Sequence, residues 1–125
     1  MVLLKSKKIL IVAPHADDET LGAGGVLIRA KKMGIKIYWL LITSPNKKLF
    51  SSEYIKKHEE QVQKVKKFYG FSGLHKLLYP STDLEKIPKA DIINSIQLGI
   101  KKFRPDTIII PHIADAHSDH YITHV

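Results

Sequence analysis

The feature that most constrains this chain is a short run, Lys8-Ile-Leu-Ile-Val-Ala13, apolar after its first residue and rich in β-branched side chains. A run with no polar face suits a strand covered on both sides, as in a parallel sheet with helices above and below. It stops at Pro14. From Thr20 to Met33 the apolar positions Leu21, Val26, Leu27, Ala30 and Met33 recur at helical spacing, and Gly34 supplies the stop. Lys36 to Thr43 reads as a second buried strand, with Tyr38 and Trp39 expected in the core. Ser52 to Tyr69 places Ile55, Val62, Val65, Phe68 and Tyr69 largely on one stripe of a surface helix ending at Gly70. The pattern continues with a short third strand at His75–Tyr79, a third helix at Ala90–Phe103 carrying Ile92, Ile93, Ile96 and Ile100, and a fourth strand at Thr107–Pro111.

Strand and helix thus alternate along the chain, which predicts the α/β class: a Rossmann-like, three-layer fold with a mostly parallel sheet in the order 3-2-1-4. At 125 residues the chain has room for one domain, spanning 1–125. In that strand order the first and fourth strands are neighbours. The crevice beyond their carboxyl ends is the topological switch point where ligands bind, and both polar clusters of the sequence are expected there.

The absence of Cys removes thiolate metal sites and cysteine nucleophiles, leaves any metal to His and carboxylates, and suits the reducing cytoplasm. Twenty Lys and Arg against 12 Asp and Glu give a net charge of +8, which by itself favours acidic partners. Only Arg29 and Arg104 offer the guanidinium fork, however, and the Lys pairs are scattered as solvated faces would be. Solubility is therefore the expected role of the charge, rather than nucleic-acid binding. The run Ile9–Ala13 is too short for a signal segment, and no stretch approaches the roughly 18 apolar residues of a membrane span. A cytoplasmic protein is expected.

The first cluster is Pro14-His15-Ala16-Asp17-Asp18-Glu19, between the first strand and the first helix. Acids at a helix N-terminus complement its dipole and can cap it. Capping explains one acid well and three poorly, because crowded carboxylates repel unless something positive joins them. The second cluster, Asp115-Ala-His117-Ser-Asp119-His120, follows the fourth strand, and four of the seven His fall within the last fourteen residues. A catalytic zinc site needs three protein ligands and an open position. His15 and Asp18, three apart, can face one point, with His120 as third ligand. Asp17 would then be placed to take a proton from the attacking water, and His117 to reach the other side of a bound carbonyl. Asp119 and Asp115 are candidates for acceptors that fix His orientation. Spacing alone leaves Asp17 and Asp18 interchangeable.

Taken together, the two clusters resemble the PHPDDE-type and HxDH motifs of the PIG-L/LmbE family of zinc-dependent N-deacetylases. The resemblance runs along the whole chain, including Arg104-Pro105-Asp106 and the Tyr79-Pro80 region. It implies one Zn2+ held by His15, Asp18 and His120, Asp17 as general base, and His117 stabilising the oxyanion or protonating the leaving amine. It also implies an N-acetylglucosamine-type amino sugar or conjugate as substrate, with release of acetate. Ala16 stands where the family usually has Pro. The family's Arg-x-x-Glu has no clean match, since Lys57-x-x-Glu60 is one residue out of register with Gly70. Relatives continue beyond the second motif, so the chain is expected to be the N-terminal portion of the usual domain, with a fourth strand whose exposed edge favours a homo-oligomer. The competing readings are a non-catalytic metal-binding or assembly fragment and a basic nucleic-acid-binding module.

Three further signals have blander readings. Gly22-Ala-Gly24-Gly25 lacks the third glycine of a dinucleotide loop, Leu27 standing there, so close packing of the helix is the expected reason for the glycines. His58 and His75 are expected on the surface. Thr43, Ser44 and Ser118 show no partner order that makes a triad.

Overall fold

The computed structural model describes residues 6–15, 18–80 and 84–110, with residues 18–23 as backbone only. The elements run β1 (Lys8–Ala13), α1 (Asp18–Lys32), β2 (Lys36–Ser44), α2 (Ser52–Tyr69), β3 (Gly73–Pro80), a 3-10 turn (Leu84–Lys86), α3 (Lys89–Phe103) and β4 (Thr107–Ile109). The four strands form one parallel sheet in the order β3-β2-β1-β4. This is the expected α/β topology, with β1 at the interior: Ile9 pairs with Ile37 on one side and Thr107 on the other.

Alternation along β1 divides the core in two. Ile9, Ile11 and Ala13 join Leu27 and Ala30 of α1 and Val62 and Tyr69 of α2. Leu10 and Val12 face the other way, onto Ile92 and Phe103 of α3 and Leu84 of the 3-10 turn. Two helices therefore cover one face and the third covers the other. Strand β2 repeats the pattern, Ile37, Trp39 and Leu41 on the first side and Leu40 and Ile42 on the second.

Local signals set the ends of α2. The Ser51 hydroxyl accepts a hydrogen bond from the Tyr54 N–H at 3.1 Å, and Gly70 adopts φ 71° beyond the last turn, its N–H donating to Lys66 O. At α3 the left-handed position is taken by Arg104, φ 51°, whose N–H reaches Ile100 O at 2.8 Å. Asp106 then anchors the start of the sheet, accepting from the Lys7 N–H at 2.8 Å and the Lys8 N–H at 3.3 Å, bonds that hold its carboxyl below the usual range.

Several expectations shift. Helix α1 begins at Asp18, two residues early, and β3 is longer than His75–Tyr79, because parallel pairing to β2 carries it from Gly73 to Pro80. It carries a bulge: Leu41 to Thr43 on β2 spans two steps while their partners Lys76 to Tyr79 span three, and Leu78 takes up the extra residue at φ 63°. Strand β4 ends at Ile109, leaving Ile110 outside it, and Pro111, the expected last residue of the strand, lies outside the described residues. Phe68 is 73% exposed, since its position lies well off the Val62–Tyr69 row, and its ring meets Tyr69 edge-on. A Cβ at Gly25 would meet nothing within 4 Å, so close packing does not account for that glycine; α1 simply leaves the position open.

His75 is not a surface residue but half-buried on β3, its ring edge-on to Phe103 at 6.5 Å. Burial disfavours the imidazolium, with Lys102 adding repulsion, and its pKa lies below the ordinary value. The unfolded chain thus takes up this proton more readily than the folded one. The stability associated with neutral His75 is complete above the unfolded value of about 6.5 and is lost as pH falls through it toward the folded value. We expect the urea midpoint, followed by fluorescence of the buried Trp39, to drop between about pH 7.5 and 5.5, and His75→Gln to flatten that part of the curve. An identical drop in the variant would assign it elsewhere.

Candidate functional site

The corner after β1 is where sequence and fold meet. The carbonyl of Pro14 receives two hydrogen bonds from one residue of β2, the Thr43 N–H at 3.0 Å and the Thr43 hydroxyl at 2.5 Å. Thr43 is buried, so both bonds are sheltered from water. A carbonyl has two acceptor positions, and one side chain and its own backbone fill them. The chain leaving β1 is thereby pinned to the carboxyl end of β2, fixing where His15, the next residue, begins. Three residues after His15, Asp18 opens α1. Both therefore stand beyond the carboxyl end of the central strand, between β1 and α1, with the end of β2 alongside.

A cavity of about 140 Å³ opens beside that corner, lined by His15, Thr43, Ser44, Pro45, Phe50, Tyr54 and His58. This is below the roughly 300–1,000 Å³ of a site that engulfs a drug-sized ligand. The loop from Pro45 into α2 builds one side of it. Asn46 is buried; its side-chain oxygen accepts from the Lys48 N–H at 2.9 Å, and its carbonyl accepts from the Leu49 and Phe50 N–H groups at 3.0 Å. This turn within the loop delivers Phe50 against Tyr54, the rings stacked at 4.6 Å with 16° between their planes.

The structure thus places His15 in the cavity wall and Asp18 at the first position of α1. The remaining site residues read from the sequence, Asp17, His117, Asp119 and His120, lie outside the described residues, and so do Asp115 and His112. Among the described residues no three His, Asp or Glu gather as a metal cluster. The described part of the proposed set is one imidazole and one carboxylate position, an N/O donor pair of the kind zinc accepts.

His58, expected on the surface, is half-buried and lines the same cavity as His15. A signal was present in the sequence. Tyr54, His58 and Val62 are spaced by four on α2, so a buried Val62 brings His58 and Tyr54 along the row toward the sheet. The hydrogen bonds of Thr43 to Pro14 depend on a strand register that only the fold supplies.

With this geometry in place, comparison with known proteins is direct. The PIG-L family profile, described as GlcNAc-PI de-N-acetylase, matches residues 10–125, and the chain belongs to this family. It is 27% identical over 123 residues to a diacetylchitobiose deacetylase of Thermococcus kodakarensis, covering 91% of this chain and 45% of that protein. Among solved structures, the N,N'-diacetylchitobiose deacetylase of Pyrococcus horikoshii superposes with a TM-score of 0.81 at 23% identity, over 95% of this chain and 47% of that one. A conserved protein of Thermus thermophilus gives 0.76 at 28% identity, over 93% and 51%. The chain spans about half the length of the relatives it matches.

The Pro14 clamp makes a specific expectation. Thr43→Val keeps the shape of the side chain and the backbone hydrogen bond but removes the hydroxyl, and should cost about 0.5–1.5 kcal/mol of stability. The imidazole NMR signals of His15 should move with it, since the lost bond holds the preceding carbonyl. An unchanged urea midpoint together with unshifted His15 signals would show that the clamp does not position the corner.

Proposed function

We propose that this chain takes part in hydrolysing the N-acetyl group of an N-acetylglucosamine-type amino sugar or conjugate, water and the amide giving acetate and the free amine. What supports this reading is that the first family motif follows the central strand, with His15 lining a cavity and Asp18 opening α1. The relatives named above are deacetylases by description where they carry one, which supports the same chemistry.

His15, Asp18 and His120 would hold one zinc ion per chain, an N/O set suited to a cysteine-free sequence. Bound there, zinc supplies a Lewis acid that polarises the amide carbonyl and makes water nucleophilic near neutral pH. Asp17 takes the proton from the attacking water. His117 opposes the charge developing on the amide oxygen or protonates the departing amine. Asp119 accepts a hydrogen bond that fixes a neighbouring imidazole. Lack of cysteine suits work in the reducing cytoplasm, and no helix among the described residues is long and apolar enough to cross a membrane. Ile108 and Ile110, both 43% exposed at the β4 side of the sheet, offer a surface for a second copy.

Acetate release from N-acetylglucosamine-type substrates, abolished by a chelator and restored by zinc, is the test. Asp18→Ala and His120→Ala should lose the metal. Asp17→Asn should retain it while kcat falls by about 10²–10⁴-fold. Loss of zinc from Asp17→Asn with retention in Asp18→Asn would exchange the two roles. Zinc bound one per folded chain with no acetamide turned over would instead support a metal-binding or assembly unit.

A further inference from the structure

The least explained surface beside the site is aromatic. Phe50 and Tyr54 remain 38% and 48% exposed although they stack on each other and line the same cavity as His15. With Ser51 as the cap, the residue before it is Phe50, and the helical position that such a residue commonly packs against is the fourth, Ile55. Tyr54, the third, stacks on Phe50 instead. Two nearly parallel rings cover only their facing surfaces, and the exposure shows that other ring surface stays open. Asn46 builds the loop that sets this pair at the cavity mouth.

An open aromatic face next to a polar corner suits a ligand with an apolar face and polar edges. A pyranose ring has that form: its axial C–H groups pack on an aromatic ring while its hydroxyl and acetamido groups project sideways. An acyclic acetylated amine has no comparable face. We propose that the Phe50–Tyr54 stack is the subsite that holds the ring of the N-acetylated amino sugar, leaving its acetamido group to reach the corner at His15. This rests on the deacetylase reading and deepens it, assigning preference for sugar amides to two residues of the loop and α2 that belong to neither family motif.

The test compares an N-acetylglucosamine glycoside with the acyclic amide N-methylacetamide. Phe50→Ala and Tyr54→Leu should lower the preference for the sugar, as the ratio of kcat/KM values, by about three- to tenfold, with the change in KM. Tyr54→Phe, which keeps the ring, should restore it. Saturation-transfer NMR gives a readout independent of turnover: irradiating protein aromatic protons should mark the ring protons of methyl N-acetylglucosaminide, and Tyr54→Leu should remove the effect. Hydrolysis with an unaltered preference ratio in both variants overturns the shelf and leaves the deacetylase reading standing. If no acetamide is hydrolysed, the deacetylase reading fails and the NMR decides: transfer lost in Tyr54→Leu upholds the sugar subsite, and absence of transfer in the unmodified chain overturns it.

Discussion

Burial of β1 on both faces is the constraint on which the rest of the structure depends. Ile9, Leu10, Ile11 and Val12 are each at most 3% exposed. At about 1.5–3 kcal/mol per fully buried large apolar side chain, these four contribute on the order of 6–12 kcal/mol gross, as much as the whole net stability of a typical domain. Such a strand cannot lie at an edge or face water on one side. It must be flanked by other strands and sandwiched by helices, which is the arrangement found: β2 and β4 at its sides, α1 and α2 on one face, α3 on the other.

That arrangement also decides where chemistry can occur. With every side chain of β1 after Lys8 committed to the core, only the residues leaving its carboxyl end are free to act, and the chain that emerges there is held by Thr43 of the adjacent strand. The corner is therefore a consequence of packing. A residue of the sheet interior sets the position of the first polar residue outside it, so stability and site geometry share the Pro14 carbonyl.

The sequence made much of this legible because its strongest signals are local. The continuous apolar run gave the central strand, the apolar stripe closed by Gly70 gave α2, and the order of buried segments gave the topology. What stayed hidden needed distances across the fold. Thr43 reads as one more strand residue until its register places it beside Pro14, whereas the inward turn of His58 was already marked by its spacing of four from Val62. Leu78 could not be foreseen either, because a bulge arises from mismatch between two strands and leaves no mark on one alone. Of the candidate site, His15 follows β1 and Asp18 opens α1, whereas Asp17 and the second motif lie outside the described residues.

Two different parts of the fold meet at the cavity, and they are suited to different tasks. The β1 corner is tied to the core through the Pro14 carbonyl, the kind of fixed support that bond making and breaking requires. The wall opposite is a loop and the first turn of α2, held by a buried asparagine and a serine cap rather than by the sheet. Changes in that loop would reshape the aromatic surface without disturbing β1, since the stack contributes nothing to the two core clusters. A fold divided in this way can keep one amide chemistry at the strand end while the loop determines which amine carries the amide.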